Sequence, residues 1–130
     1  MACPVPRRLR PVAIGLLAGL GLAGMGTLPP ARASDTPQAD ALAAIREVWP
    51  QEHQLPAIRV AFLESGLTPS ARGCGGDCIG LFQIHVIANR RLIASMGIET
   101  PEELLDPVVN STVAYRLFRE AGWTPWGVKP

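Results

Sequence analysis

The stretch Phe62-Leu63-Glu64-Ser65-Gly66-Leu67-Thr68-Pro69 decides how the rest of the chain is read. It is an apolar helix that ends on a carboxylate, followed by a Ser-Gly stop and a turn proline. Burial disfavours the charged form of a carboxyl group, so Glu64 is expected to hold its proton to higher pH than a solvated glutamate. The negative pole of the helix dipole pushes in the same direction. A protonated carboxyl at a helix end is a candidate general acid. The bland alternative is a solvated glutamate on a surface helix.

Outward from this stretch the chain alternates helix signals with stops. Toward the N-terminus, Thr36-Pro37 offers a cap and a first helical residue. Leu42, Ile45 and Trp49 then recur at helical spacing, which predicts a helix over 38–49 that Pro50 ends. Residues 51–54, with His53, read as a connector, and Pro56 as the opening of a second helix. On that helix Ile58, Ala61, Phe62 and Ser65 share a face. Gly66 closes it.

Beyond Glu64, residues 68–78 are loop by composition. Ile79 to His85 is compact and apolar, either a short extended piece or a helix entry. Residues 87–96 read as helix with Gly97 as its stop. Thr100-Pro101-Glu102-Glu103 is a capping box for a helical turn through Leu105. Asp106-Pro107 caps and starts a last helix that should reach Ala121, with Gly122 as its end. Strand signals are scarce. The expected class is mainly α, with one irregular glycine-rich loop where a sizeable sheet would otherwise stand.

The first 33 residues carry a different pattern. Arg7, Arg8 and Arg10 precede the apolar, glycine-rich run 11–25, and Ala31-Arg32-Ala33 supplies small residues at −3 and −1. This is a secretory signal peptide with cleavage before Ser34, leaving residues 34–130 as one domain. A retained membrane anchor is the competing reading, but the run is short and broken by glycines. Cys3 precedes the apolar run and is misplaced for lipid attachment.

Cleavage would change the charge balance. The 12 basic residues lose Arg7, Arg8, Arg10 and Arg32, while the 11 acidic residues all remain, so the formal charge moves from +1 to −3. A chain of that balance does not hold nucleic acid by bulk charge. Export also favours a disulfide between Cys74 and Cys78, which flank Gly75-Gly76-Asp77. A zinc site built from the two thiols and His85 is the alternative, and it has no clear fourth ligand.

Three short runs, in order, resemble one family. Glu64-Ser65-Gly66, Gly80-Leu81-Phe82-Gln83-Ile84 and Asp106-Pro107-Val108-Val109-Asn110 are similar to motifs of the lysozyme-like lytic transglycosylases, with Phe82 where the family commonly has methionine. The end, Gly122-Trp123-Thr124-Pro125-Trp126, also resembles small members of that family. The resemblance runs from about Leu55 to Trp126.

It implies a lysozyme-like α domain that cuts the β-1,4 bond between N-acetylmuramic acid and N-acetylglucosamine in peptidoglycan. Glu64 would be the single acid and base, and a 1,6-anhydro end would form. No metal or organic cofactor is implied. Ser65, Gly80, Leu81, Phe82, Gln83, Asn110, Tyr115 and Trp126 are the candidate substrate-binding residues. For Asn110 the residues favour structural support, with a hydrogen bond across to another segment, and for Leu81 they favour core packing; Trp126 can equally be core closure. Tyr115 is a candidate for the tyrosine that orients the acid, although its sequence context departs from the family's.

Hydrolysis needs a second carboxylate across the bond. Asp77 is the candidate, as in goose-type lysozymes, which resemble this fold. A non-catalytic glycan-binding module is the third reading. The implied partners are peptidoglycan strands outside the cytoplasmic membrane, with membrane contact only through the signal peptide. The expected state is a monomer, and a secretion or pilus apparatus is a partner by analogy alone.

Overall fold

The computed structural model describes residues 36–128. The signal-peptide reading and its cleavage point lie outside the described residues. Within them four α-helices surround a minimal sheet: α1 (Pro37–Val48), α2 (Gln51–Ser65), α3 (Arg90–Ser95) and α4 (Pro107–Ala121). Strands β1 (Arg72–Gly73), β2 (Cys78–Ile79) and β3 (Ile84–His85) form an antiparallel sheet in chain order. Single 3-10 turns lie at Cys74–Gly76, Pro101–Leu105 and Thr124–Trp126. The mainly helical class is as expected. Among the described residues no helix is long and apolar enough to cross a membrane.

α1 starts where Thr36 and Pro37 place it, with the Thr36 hydroxyl accepting from the Ala39 N–H at 3.2 Å. Its buried face is Ala41, Ala44, Ile45 and Trp49, and it packs chiefly on α4. The alanines let the two helices approach closely. Trp49 is the centre of an aromatic cluster. Trp123 stacks on it at 5.4 Å, Phe82 lies at 5.6 Å and Tyr115 meets it edge-on at 5.0 Å. Its indole N–H donates to the buried Ser111 hydroxyl at 3.0 Å, so the polar edge of the ring is satisfied.

The start of α2 corrects the expectation. The helix begins at Gln51, not at Pro56, and Pro56 lies inside it. Pro50 ends α1 because it has no N–H to give the Arg46 carbonyl. The Gln54 amide supplies that donor from the next helix, reaching the carbonyls of Arg46 (3.2 Å) and Trp49 (3.0 Å). Pro56 is tolerated because the partner it deprives is the carbonyl of Glu52, an exposed residue in the first turn. The buried face is Ala57, Val60 and Ala61. Phe62, placed on that face by the sequence, is instead 60% exposed.

Residues 68–85 carry a small sheet: β1 and the start of β2 form where composition predicts loop, and β3 realises the extended alternative for residues 79–85. Arg72 pairs with Ile79, and Gly73 with Cys78; Cys78 pairs with His85, and Ile79 with Ile84. Cys74 and Cys78 are joined in a disulfide with Cα atoms 5.3 Å apart. The bond consumes both thiols and removes the zinc alternative. It closes a loop of sequence separation 4, for which chain entropy gives about 2 kcal/mol. Reduction is therefore expected to lower the melting temperature by roughly 10 °C. A thermal scan with and without dithiothreitol measures this, and no shift would mean that the loop is already fixed by its other bonds.

The later signals appear with small changes. α3 is shorter than expected, covering Arg90–Ser95 rather than 87–96. The Thr100 capping box forms, and the backbone N–H groups of Thr100 and Glu99 hold the Glu103 carboxyl below its ordinary range. Asp106 caps α4 by accepting from Val108 (2.8 Å) and Val109 (3.0 Å).

Candidate active site

Glu64 lies in the last turn of α2, on the side that carries Ala57, Val60 and Ala61. It is half-buried, and burial raises its pKa from 4.5 to about 7. The group thus sits near half-protonation at neutral pH. It can give a proton and take one back without an extreme of either form.

The helix end is held from the side chain next door. The Ser65 hydroxyl lies 2.7 Å from the Leu81 carbonyl and 3.0 Å from the Ala61 carbonyl, and it accepts from the Thr68 N–H at 3.2 Å. Gly66 follows in the left-handed conformation and turns the chain away. Ser65 therefore ties the end of α2 to the turn Gly80–Gln83 between β2 and β3. Its hydroxyl is spent on protein partners, where the sequence suggested a contact with substrate.

That turn is fastened by two further elements and by its own glutamine. Asn110 of α4 is fully buried; its Oδ1 accepts from the Phe82 N–H at 2.8 Å, and its Nδ2 donates to the carbonyls of Ile79 (2.9 Å) and Leu104 (2.8 Å). Trp126 donates its indole N–H to the Phe82 carbonyl at 3.0 Å. Gln83 bonds within the turn, its Nε2 reaching the carbonyls of Gly80 (2.9 Å) and Ala71 (3.2 Å). Those bonds hold Gln83 at a positive φ of 49°, which a non-glycine residue rarely adopts. Gly80, at φ 78°, is required twice over: a Cβ there would collide with the Asn110 amide and the Leu104 carbonyl.

For Leu81 and Asn110 these positions match the structural readings the residues favoured, and for Phe82, Gln83 and Trp126 they replace a substrate-facing side chain with a buried one. Leu81, Phe82, Gln83, Asn110 and Trp126 have buried side chains. Their polar side-chain groups, where they have them, bond to main chain of the turn and its neighbours. Gly80 serves close approach of the Asn110 amide and the Leu104 carbonyl. Tyr115 packs on Trp49 and Phe118 in the aromatic cluster, and among the described residues it makes no hydrogen bond to Glu64. Asp77 is exposed at the end of the disulfide loop, with its backbone carbonyl bonded to the Val86 N–H at 2.8 Å. His85 is half-buried in β3, and its Nδ1 accepts from the Ala88 N–H at 3.3 Å.

Two supports escaped the sequence because they act through main chain. The Thr68 N–H and the Ala71 carbonyl carry no side-chain signal. Among the described residues no group of three or more His, Cys, Asp or Glu side chains is placed to hold a metal.

A half-buried carboxyl at the end of a core helix, backed by a cross-braced turn beside a minimal sheet, defines a lysozyme-type helical domain. A family model, described as the Lysozyme like domain, matches residues 43–128, and the chain belongs to that family. That family groups with the peptidoglycan-acting lysozymes and transglycosylases. No curated protein and no solved structure matches the chain.

Proposed function

We propose that the protein is a peptidoglycan lytic transglycosylase in which Glu64 is both acid and base. The observation that carries this reading is the half-buried Glu64 carboxyl with its pKa near 7. Protonated Glu64 gives its proton to the glycosidic oxygen as the bond from C1 of the muramic acid breaks. The resulting carboxylate then takes the proton of the C6 hydroxyl of the same ring. The C6 oxygen closes onto C1, and no water is consumed.

One carboxyl with a near-neutral pKa suffices for both transfers, while Asp77 stands exposed at the end of the disulfide loop. The products decide between the two chemistries. Mass spectrometry of digested walls should find 1,6-anhydromuramic ends that persist in Asp77→Ala. Reducing ends that vanish in Asp77→Ala would establish a goose-type hydrolase instead. Residues 1–33 would direct the domain to the periplasm or the cell exterior, where its substrate lies.

The acid role fixes the sign of the pH dependence. Only protonated Glu64 starts the reaction, so kcat/KM should fall about tenfold per pH unit above about 7 and be flat below. Initial clearing rates of cell walls from pH 5 to 9 test this; a break near 4.5 would remove burial as the cause. Stability moves with the same group. Its folded pKa lies above the unfolded value, so its contribution is complete below 4.5 and is lost as pH rises through about 7. Glu64→Gln should thus match wild type in melting temperature at about pH 4 and exceed it at about pH 8. After discounting for solvent screening of a half-exposed group, the gain is about 1 kcal/mol.

A further inference from the structure

Among the described residues three that are not glycine hold a positive φ: Leu67 at 59°, Cys74 at 53° and Gln83 at 49°. All three fall in residues 67–83, the stretch that runs from the end of α2 through the bracing turn. Such backbone is costly for a residue with a Cβ, and it persists only where the surrounding structure enforces it. Cys74 is anchored by its disulfide and Gln83 by its amide bonds. Leu67 has no polar side-chain group to anchor it, and its N–H reaches the Ala61 carbonyl only at 3.4 Å. Ending the helix does not require it either. Gly66 is already left-handed, and one residue in that conformation suffices.

What the second left-handed residue achieves is placement. It turns the chain back so that the Thr68 N–H meets the Ser65 hydroxyl at 3.2 Å. It also seats the leucine, partly buried, against the core. The same helix end leaves Phe62 and Leu63 in solvent, so burial of one more apolar side chain is not a general demand here. Glu64 lies on the core side of α2 as well. We propose that Leu67 is a positioning residue for Glu64: its left-handed backbone folds the loop under the end of α2, and its side chain keeps water from the carboxyl. The inference rests on Glu64 being the acid of the proposed reaction.

The charges around this helix end leave burial as the quantity that a titration of Glu64 reads. The segments bonded around it, 65–71 and 78–84, contain no ionisable side chain besides the bridged Cys78. Arg72 and His85 border them; Arg72 pairs with Glu102, and the His85 Nδ1 accepts from the Ala88 N–H. Asp40, Arg46 and Glu47 of α1 and Glu52 and Arg59 of α2 are exposed, and His53 lies at the far end of α2.

The experiment follows the Glu64 carboxyl by carbon-detected NMR across pH. Leu67→Ala removes the side chain and keeps the strained φ; Leu67→Gly removes both. In each the midpoint should fall from about 7 by about one pH unit. Leu67→Gly should melt several degrees above Leu67→Ala, because glycine accepts this backbone freely. Leu67→Met, which restores an apolar side chain of similar size, should keep the wild-type midpoint. On cell walls, kcat/KM of the alanine and glycine variants should be about fivefold lower near pH 7 and close to wild type near pH 5, following the protonated fraction. An equal loss at both pH values would reduce Leu67 to a structural role. A midpoint that stays near 7 in both variants, or falls as far in the remote core variant Ile93→Ala, would overturn the proposal. Leu67→Gly melting no higher than Leu67→Ala would remove the strain from it. A midpoint that falls with no change in wall clearing would leave the coupling standing and overturn Glu64 as the acid, so the two readings fail separately.

Discussion

Glu64→Gln is expected to lower wall-lytic activity by about three orders of magnitude with the fold intact. The substitution keeps the shape of the side chain and its place at the end of α2. It removes the one property the reaction needs, a proton that can leave and return. The amide cannot protonate the glycosidic oxygen, and it cannot accept the C6 proton afterwards. Both halves of the cycle fail together, so the loss should appear in kcat with KM little changed. Turbidity clearing by the two proteins, each checked for an equal melting transition at acid pH, is the measurement. Activity within about tenfold of wild type would take Glu64 out of the chemistry. If wild type itself clears nothing, the chain is a binding module rather than an enzyme.

The second large effect concerns stability. Asn110→Ala should destabilise the domain by about 3–5 kcal/mol, seen as a fall of roughly 15–25 °C in melting temperature. The asparagine is completely buried and satisfies three backbone groups at once: the Phe82 N–H and the carbonyls of Ile79 and Leu104. Alanine leaves all three without a partner in a space too tight to hydrate well, because Gly80 lies directly against the amide. Asn110→Asp tests the same bonds differently: it keeps the acceptor for Phe82 but turns the donor into a second acceptor facing two carbonyls. It should be as damaging as alanine at neutral pH and recover in acid, where a protonated carboxyl can donate. A change below about 1 kcal/mol in Asn110→Ala would show that the turn holds itself.

How legible this was depends on the kind of interaction. Asp106-Pro107 and Thr100-Pro101 declared their helical turns accurately, because capping is local and a proline marks the first turn. Gly66 and Gly122 marked ends for the same reason. Pro56 misled, since its effect depends on whether the carbonyl it deprives faces water, and that is a tertiary fact. Phe62 misled because small residues, Ala57 and Ala61, carry the buried face of α2. Strands of two residues have too little periodicity to be seen. At the site, the carboxyl and its burial were readable from the apolar helix and its stop. Asn110 was readable as a brace to another segment; the direction of Gln83 and Trp126 was not. Each has a polar group suited equally to a sugar or to a carbonyl, and only the packing of α4 and the last turn decides which it meets.

All three tryptophans of the chain lie in one neighbourhood: Trp49 stacks on Trp123, and Trp123 sits 5.9 Å from Trp126. One belongs to the start of the domain and two to its end, so their shared emission is a natural optical gauge of whether the two ends have met. Because the last of these indoles also grips the Phe82 carbonyl, the same light signal reports on assembly of the scaffold behind the acid. Stopped-flow fluorescence can therefore follow maturation of the catalytic centre with no label attached.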